Sequence, residues 1–270
     1  MLNLMKYEWI RGKKLLGIGI AVLLILEIIM VITLRLGDNY LILFGILSFF
    51  LYPASYVFIL IDGARMISKD LNETQGYMLF LTPNSGYRIV NSKLLVNLIN
   101  FLVCQFIVIA IYVLNYHLAL KLYLDNGPEF IMMLKEMVNE LLAILLPSPW
   151  LLLLGILALV LNWFSFITTV YLAIILRKSL FSNVRFKGFL SFAIFVGLNI
   201  AVSWVSNAVI VAFSFTAKLG DQLSNMNNLN QDAYLSIIFQ YVGVAYVISI
   251  VFIVLFTYLS GLLVHKRIDL

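Results

Sequence analysis

The strongest constraint on the fold is a series of uninterrupted apolar stretches, each about 20 residues long or longer, which is the length that crosses a hydrocarbon core of about 30 Å. The rest of the chain cannot compensate with a wetted surface, because 63% of the residues are hydrophobic and only 11% are charged. The sequence therefore predicts an all-α integral membrane protein, a single membrane domain over residues 1–270. Its six transmembrane helices lie at about 15–34, 40–61, 94–114, 150–176, 188–215 and 234–264.

The distribution of Lys and Arg predicts the orientation of these spans. With the N-terminus in the cytoplasm, only Arg35, Lys121, Lys135 and Lys218 fall on the outer side, and every other basic residue lies in an inner segment. Both termini are therefore expected to be cytoplasmic. Because the basic charge is spread over four inner segments rather than forming one patch, the pI of about 9.2 indicates topology and no nucleic-acid partner.

Two amphipathic segments flank the spans. Before span one, Leu2, Met5 and Trp9 share one helical face and Lys6 and Lys13 another, which predicts an N-terminal interfacial helix. Between spans three and four, residues 129–146 predict an amphipathic helix packed on the outer surface. Its acidic face carries Glu129, Glu136 and Glu140, and its apolar face carries Phe130, Leu134, Met137, Leu141 and Ile144.

The motifs of enzymatic chemistry are missing from the sequence. Its two histidines, His117 and His265, are far apart, and no Cys/His cluster or H-E-x-x-H pattern predicts a metal site. Gly12-Lys13-Lys14 lacks the Ser/Thr and the upstream Gly of a phosphate-binding loop, so the chain is not expected to bind ATP itself. We expect no catalytic residue, no metal and no cofactor on this chain.

Polar residues inside the spans have two interpretations each. Glu27, in the middle of span one, either lines a translocation path or relays protons, or it is a protonated carboxyl making one interhelical hydrogen bond. Asn199, Ser203 and Asn207 recur at i, i+4 and i+8 in span five, and they form either a polar groove on the same path or ordinary helix packing. In span three, the packing interpretation is favoured for Asn97, Asn100 and Gln105.

The segment KDLNETQGYMLFLTPNSGYRIVNSKL, residues 69–94, connects spans two and three on the cytoplasmic side. Asp70 with Glu73 matches a capping box and predicts a helix that begins near Leu71 and ends at Pro83. Apolar side chains lie on more than one face of that helix. One face can pack on the spans, whereas the face with Tyr77 and Phe80 needs a cytoplasmic partner.

The order of an N-terminal amphipathic helix, six spans and a T…GYMLFLTP…YRIVNSKLL segment resembles a bacterial ABC-2-type transporter permease. The resemblance covers the whole chain in layout, and its motif identity is concentrated in Asp70–Lys93. It implies that this segment is a coupling helix that docks on a separate ATPase. The residues in that role are Asp70, Glu73, Thr74, Gly76, Tyr77, Phe80, Leu81, Pro83 and Arg88.

The resemblance also implies the function and the partners. The chain is expected to be the transport subunit of an ATP-driven exporter in the cell membrane, with ATP and Mg on two partner ATPase chains and a second permease chain in a homodimer or heterodimer. Small permeases of this layout resemble exporters of amphipathic or antimicrobial peptides, so the resemblance implies peptides of this kind as substrates. Two alternatives stay open: an ion- or proton-coupled carrier that depends on Glu27, and a membrane scaffold without transport.

Overall fold

The computed structural model describes residues 2–72, 85–123, 129–145, 148–181, 186–212 and 231–267, and these are helical apart from short turns and helix ends. No strand occurs in these ranges, so the all-α prediction is confirmed. The α-helices described are α1 (Leu2–Arg35), α2 (Leu41–Asn72), α3 (Gly86–Leu122), α4 (Glu129–Leu145), α5 (Pro149–Leu180), α6 (Lys187–Ala212) and α7 (Gln231–Arg267).

Six of the described helices are long and apolar enough to cross a membrane: α1, α2, α3, α5, α6 and α7. The remaining helix, α4, has 17 residues. At 1.5 Å per residue it is about 26 Å long and falls short of a hydrocarbon core of about 30 Å. The prediction of a protein embedded in a membrane through six helices is confirmed in this form.

The N-terminal segment and span one form a single helix, and an interfacial position of the first part stays a prediction. Helix α1 runs without interruption for 34 residues from Leu2 to Arg35, so the segment expected before span one is the first part of the same helix. No proline interrupts residues 2–35, and the backbone hydrogen bonds therefore continue beyond the apolar run. Hydropathy marks only the part of a helix that suits hydrocarbon, and the helix itself is longer.

A glycine shapes the reversal between α1 and α2. Gly37 has a φ of 98°, a conformation that residues with a Cβ rarely adopt. The amide of Tyr40 donates to the carbonyl of Gly37 at 3.0 Å, closing a short 3₁₀ turn over Asp38–Tyr40. This tight turn places α2 antiparallel beside α1.

The chain divides into two compact units. The first unit consists of Met1–Met66 with Ser92–Leu157, and the second consists of Ile67–Asn91 with Ala158–Leu270. The prediction of one domain over residues 1–270 stays a prediction.

In the first unit, α1, α2 and α3 pack through aliphatic side chains. One cluster joins Leu23, Leu51, Val108 and Ile111, one or two from each of the three helices. Gly19 brings α1 close to α2, because a Cβ built at this position would overlap the ring of Phe58. The absence of a side chain at one position therefore sets the distance between the first two spans.

In the second unit, aromatic and small residues make the helix contacts. The rings of Phe166 in α5 and Phe195 in α6 meet edge to face with centroids 5.0 Å apart. Tyr87, in the first turn of α3, stacks on Tyr258 of α7 with centroids 5.6 Å apart. A Cβ at Gly261 would overlap the Tyr87 ring, so the start of α3 lies directly against α7.

Helix α4 forms over Glu129–Leu145 as expected, and only part of its predicted apolar face is buried. Ile131 is buried in a cluster with residues of α1, α2 and α3, and Leu134 lies on the same side. Met137 and Leu141, assigned to the packed face, are 58% and 54% exposed. One part of the apolar face therefore packs on other helices of the first unit, and the rest of it is exposed in this chain.

Candidate functional site: the buried stripe of α3

Helix α3 presents one continuous buried stripe to its neighbours in the first unit. The spacing of three and four residues is the spacing of one helical face. Polar residues of the stripe lie at its beginning and again at Asn115, and the residues between them are apolar. The stripe consists of Lys93, Asn97, Asn100, Cys104, Val108, Ile111, Asn115 and Ala119, all of them buried.

At one end of the stripe lies a buried ion pair. Lys93 Nζ is 2.6 Å from Oε1 of Glu8 on α1, and the two side chains are 0% and 3% exposed. A buried charge without a counter-ion costs several kcal/mol, so each residue depends on the other. The pair ties the start of α1 to the base of α3.

One turn further along, two amides of α3 bind α2. Asn97 donates to the carbonyl of Ile59 at 3.3 Å, and Asn100 donates to Oδ2 of Asp62 at 3.2 Å. Asp62 is itself buried. These contacts match the packing role that the sequence favoured for Asn97 and Asn100, with Asp62 as an acidic partner that sequence reasoning did not identify.

The middle of α3 is held to α2 near a helix proline. Pro53 lies inside α2 and removes one backbone donor there. Nearby, Ser55 donates to the carbonyl of Tyr52 at 2.7 Å, and Gln105 of α3 approaches Ser55 Oγ at 3.5 Å. Hydroxyl and amide side chains commonly stabilise the backbone around a proline in a membrane helix.

Near the far end, Glu27 of α1 meets the stripe. Asn115 Nδ2 donates to Glu27 Oε2 at 2.8 Å, across 88 residues of sequence. Glu27 Oε1 and Asn115 Oδ1 are both buried without a hydrogen-bond partner. Glu27 thus makes an interhelical bond to an amide, the geometry of the packing interpretation, while its second oxygen is unsatisfied.

The predicted trio of span five lies in the second unit and does not form a buried groove within the described part of that unit. Asn199 donates to the carbonyl of Phe195 in its own helix at 2.8 Å. Ser203 and Asn207 are exposed. No residue in the apolar window of α6 is buried among the described residues. A groove at these residues therefore stays a prediction that needs another surface to complete it.

The predicted coupling segment lies mostly outside the described residues. Glu73, Thr74, Gly76, Tyr77, Phe80, Leu81 and Pro83 fall in residues 73–84, of which nothing is described. The helix start predicted from the capping box at Asp70 and Glu73 is wrong. Asp70 and Leu71 belong to the final turns of α2, so no helix begins at Leu71. The residue types that cap the start of a helix also occur near the end of one. Helix α2 continues through Asp70 and Leu71 to Asn72.

The far side of this segment is described. The carbonyl of Ser85 accepts from the amides of Arg88 and Ile89, which places Ser85 at the start of α3. Arg88 is exposed in the first turn of that helix. Ile89 and Val90, next in sequence, are fully buried.

Among the described residues, no cluster of three or more His, Cys, Asp or Glu side chains forms a metal-binding group. Glu8 and Asp62 are the functional candidates that sequence reasoning missed. A buried face in α3 with polar residues at i, i+4 and i+7 from Lys93 was the signal that could have indicated polar partners on α1 and α2.

Comparison with known proteins does not assign a family. No family model, no curated protein and no solved structure matches this chain at a significant level.

Proposed function

We propose that the chain is the membrane-spanning permease subunit of an ATP-driven exporter of the ABC-2 type. In this proposal, a homodimer or a pair of similar permeases binds two ATPase subunits, which carry ATP and Mg. The chain is a transport subunit and not an enzyme, and it lies in the cell membrane with both termini in the cytoplasm. Amphipathic or antimicrobial peptides are the proposed substrates.

One observation carries the proposal: residues 73–84 connect two helix ends that are both anchored. Asp70 and Leu71 at the end of α2 are buried, and so are Ile89 and Val90 at the start of α3. A force applied to a segment between two packed helix ends moves the helices, because packed interfaces do not deform continuously. This is the mechanical requirement for a coupling element.

The ion pair at the base of α3 supports the same role. Lys93 lies one turn after the buried residues Ile89 and Val90 and binds Glu8 on α1 at 2.6 Å. A displacement of α3 at Lys93 is therefore expected to act on α1 through this ion pair. In the proposed cycle, closure of the ATPases moves residues 73–84 and switches the path between inward and outward exposure.

Exposed polar side chains on α6 support the proposal of a second permease chain. Its polar side chains Ser203 and Asn207 are exposed in this chain. Polar side chains in spans are usually found facing protein or a water-filled path rather than lipid. We propose that this face of α6 meets the second permease or the substrate path.

The experiment that tests the proposal targets Tyr77 and Phe80. A Tyr77→Ala/Phe80→Ala variant should insert and fold, because neither residue lies in one of the six candidate spans. Truncating an aromatic anchor in a binding pocket costs about 2–4 kcal/mol, so the complex with the ATPase should weaken by more than about tenfold. Co-purification of the ATPase and substrate-stimulated ATP hydrolysis in proteoliposomes measure the loss. Asn227→Ala is the control. Full retention of both activities in the double variant contradicts the proposal.

The second candidate is an ion- or proton-coupled carrier, favoured by Glu27. Its carboxyl binds one amide and keeps Oε1 buried without a partner, which is an arrangement that a transported cation or proton can complete. This candidate predicts substrate uptake driven by an ion gradient in proteoliposomes that contain the chain alone. Glu27→Gln should abolish that uptake. Absence of uptake without an ATPase excludes the carrier.

A further inference from the structure

A cavity of about 630 Å³ opens in the first unit between α2, α3 and α4. Its volume is in the range of small-molecule sites, about 300–1,000 Å³. The wall is largely apolar, with Phe44 and Phe49 from α2, Val113 from α3, and Ile131 and Val138 from α4. A wall of this kind accommodates a hydrocarbon chain.

Two residues that line this cavity, Ser48 and Asn115, each carry a buried polar atom without a hydrogen-bond partner. Ser48 Oγ is buried and unsatisfied, although the carbonyl of Ser48 accepts from Tyr112 at 2.7 Å. Asn115 is 97% buried, and its Oδ1 is unsatisfied while its Nδ2 is occupied by Glu27. A buried polar atom left without a partner costs free energy, and a bound group that supplies the missing bond recovers it. The two atoms therefore mark where a ligand's polar group belongs.

The chemistry of the two atoms defines that group. Asn115 Oδ1 can only accept, and the Ser48 hydroxyl can donate or accept. A ligand hydroxyl donates to the first and accepts from the second, whereas a plain hydrocarbon leaves both unsatisfied. Among the described residues that line the cavity, none is charged. An ionised head group would therefore be buried without a counter-ion on the wall.

We infer that this cavity binds a single-chain amphiphile through an apolar tail and a neutral, hydrogen-bond-donating head such as a hydroxyl. The tail lies along the wall formed by α2 and α4, and the head lies between Ser48 and Asn115. The site belongs to this chain alone. It is present whether or not the chain pairs with an ATPase, and a failed ATPase experiment does not affect it.

The first experiment uses dodecanol that carries a photoreactive diazirine in its chain. The purified chain in lipid nanodiscs is photolysed with this probe, and the labelled positions are read by mass spectrometry. We expect labelling at Phe49, Ile131 and Val138. Unlabelled dodecanol should compete about three- to tenfold better than methyl undecyl ether, an isomer that accepts hydrogen bonds but donates none. Equal competition by the two isomers, or labelling spread over all spans, overturns the inference.

The second experiment varies the wall. Ser48→Ala removes the hydroxyl but keeps the Asn115–Glu27 bond and the backbone acceptor of Tyr112, so the fold should persist. It should weaken dodecanol competition about threefold or more. Ser249→Ala is the matched control, since that hydroxyl binds the carbonyl of Ala245 in α7. Val138→Trp should fill the cavity and abolish labelling. If Val138→Trp abolishes labelling while Ser48→Ala has no effect, the cavity is an apolar cleft without head-group recognition, and the inference is wrong.

Discussion

Asn115 on α3 holds the carboxyl of Glu27 on α1 with a hydrogen bond of 2.8 Å, and each side chain keeps one buried oxygen without a partner. The bond joins the first and third spans. It gives Glu27 a structural role whether or not the residue also takes part in transport, and the two roles can be separated by substitution.

The Glu27–Asn115 bond should survive Glu27→Gln, because the Gln carbonyl still accepts from Asn115. We expect the free energy of unfolding to change by less than about 1 kcal/mol. Asn115→Leu should lower it by about 1–3 kcal/mol, since a buried carboxyl then loses its donor. The measurement is unfolding by SDS in mixed micelles, with Val113→Leu as the control at an exposed neighbour. Equal stability of Asn115→Leu and the control would show that the bond contributes nothing.

The Glu8–Lys93 pair should show strong coupling between its two members. Glu8→Leu alone or Lys93→Met alone leaves one buried charge unpaired and should lower the free energy of unfolding by about 3–5 kcal/mol. The double variant removes both charges and should recover most of that loss. A double-mutant cycle on the same SDS unfolding measurement gives the coupling directly. Additive single effects would mean that the 2.6 Å contact is not an energetic pair.

Position 19 should not tolerate a side chain, whereas position 17 should tolerate one. A Cβ at position 19 overlaps Phe58, so Gly19→Ala forces the ring or the helices apart and should cost about 1–3 kcal/mol. At position 17 nothing lies within 4 Å of the added Cβ, so Gly17→Ala should be neutral or stabilising. Melting of the purified protein in detergent compares the two. Gly19→Ala combined with Phe58→Leu should recover stability if the overlap is the cause.

The orientation of the spans should be visible by cysteine labelling. Cys104 is fully buried, and Cys104→Ala provides a background without reactive thiols. In that background Asn84→Cys should be protected from an impermeant thiol reagent in intact cells, and Asn227→Cys should react. Membrane permeabilisation should expose the first position. The reverse pattern would invert the topology and place residues 73–84 where no cytoplasmic ATPase can reach them.

The sequence by itself determined the helical class and the six candidate spans, because both depend on local properties. Hydrogen bonding within a helix involves neighbours four residues apart, and the length of an apolar run is read directly from the chain. The amphipathic segment at Glu129–Leu145 was also predictable as a helix. The side of this helix that becomes buried was not predictable, because Ile131 rather than Met137 packs against other helices.

Only the tertiary structure decided which polar residues of the spans meet. Lys93 and Glu8 are 85 residues apart in sequence, and Asn115 and Glu27 are 88 apart. No local pattern at Glu27 distinguishes a partnered carboxyl from one that faces a path, because the difference lies in a side chain on another helix. Likewise, Asp70 matched a helix start in sequence but lies in the last turns of α2, where burial extends the helix. Helices form from local bonds, whereas pairing depends on which faces the packing brings together.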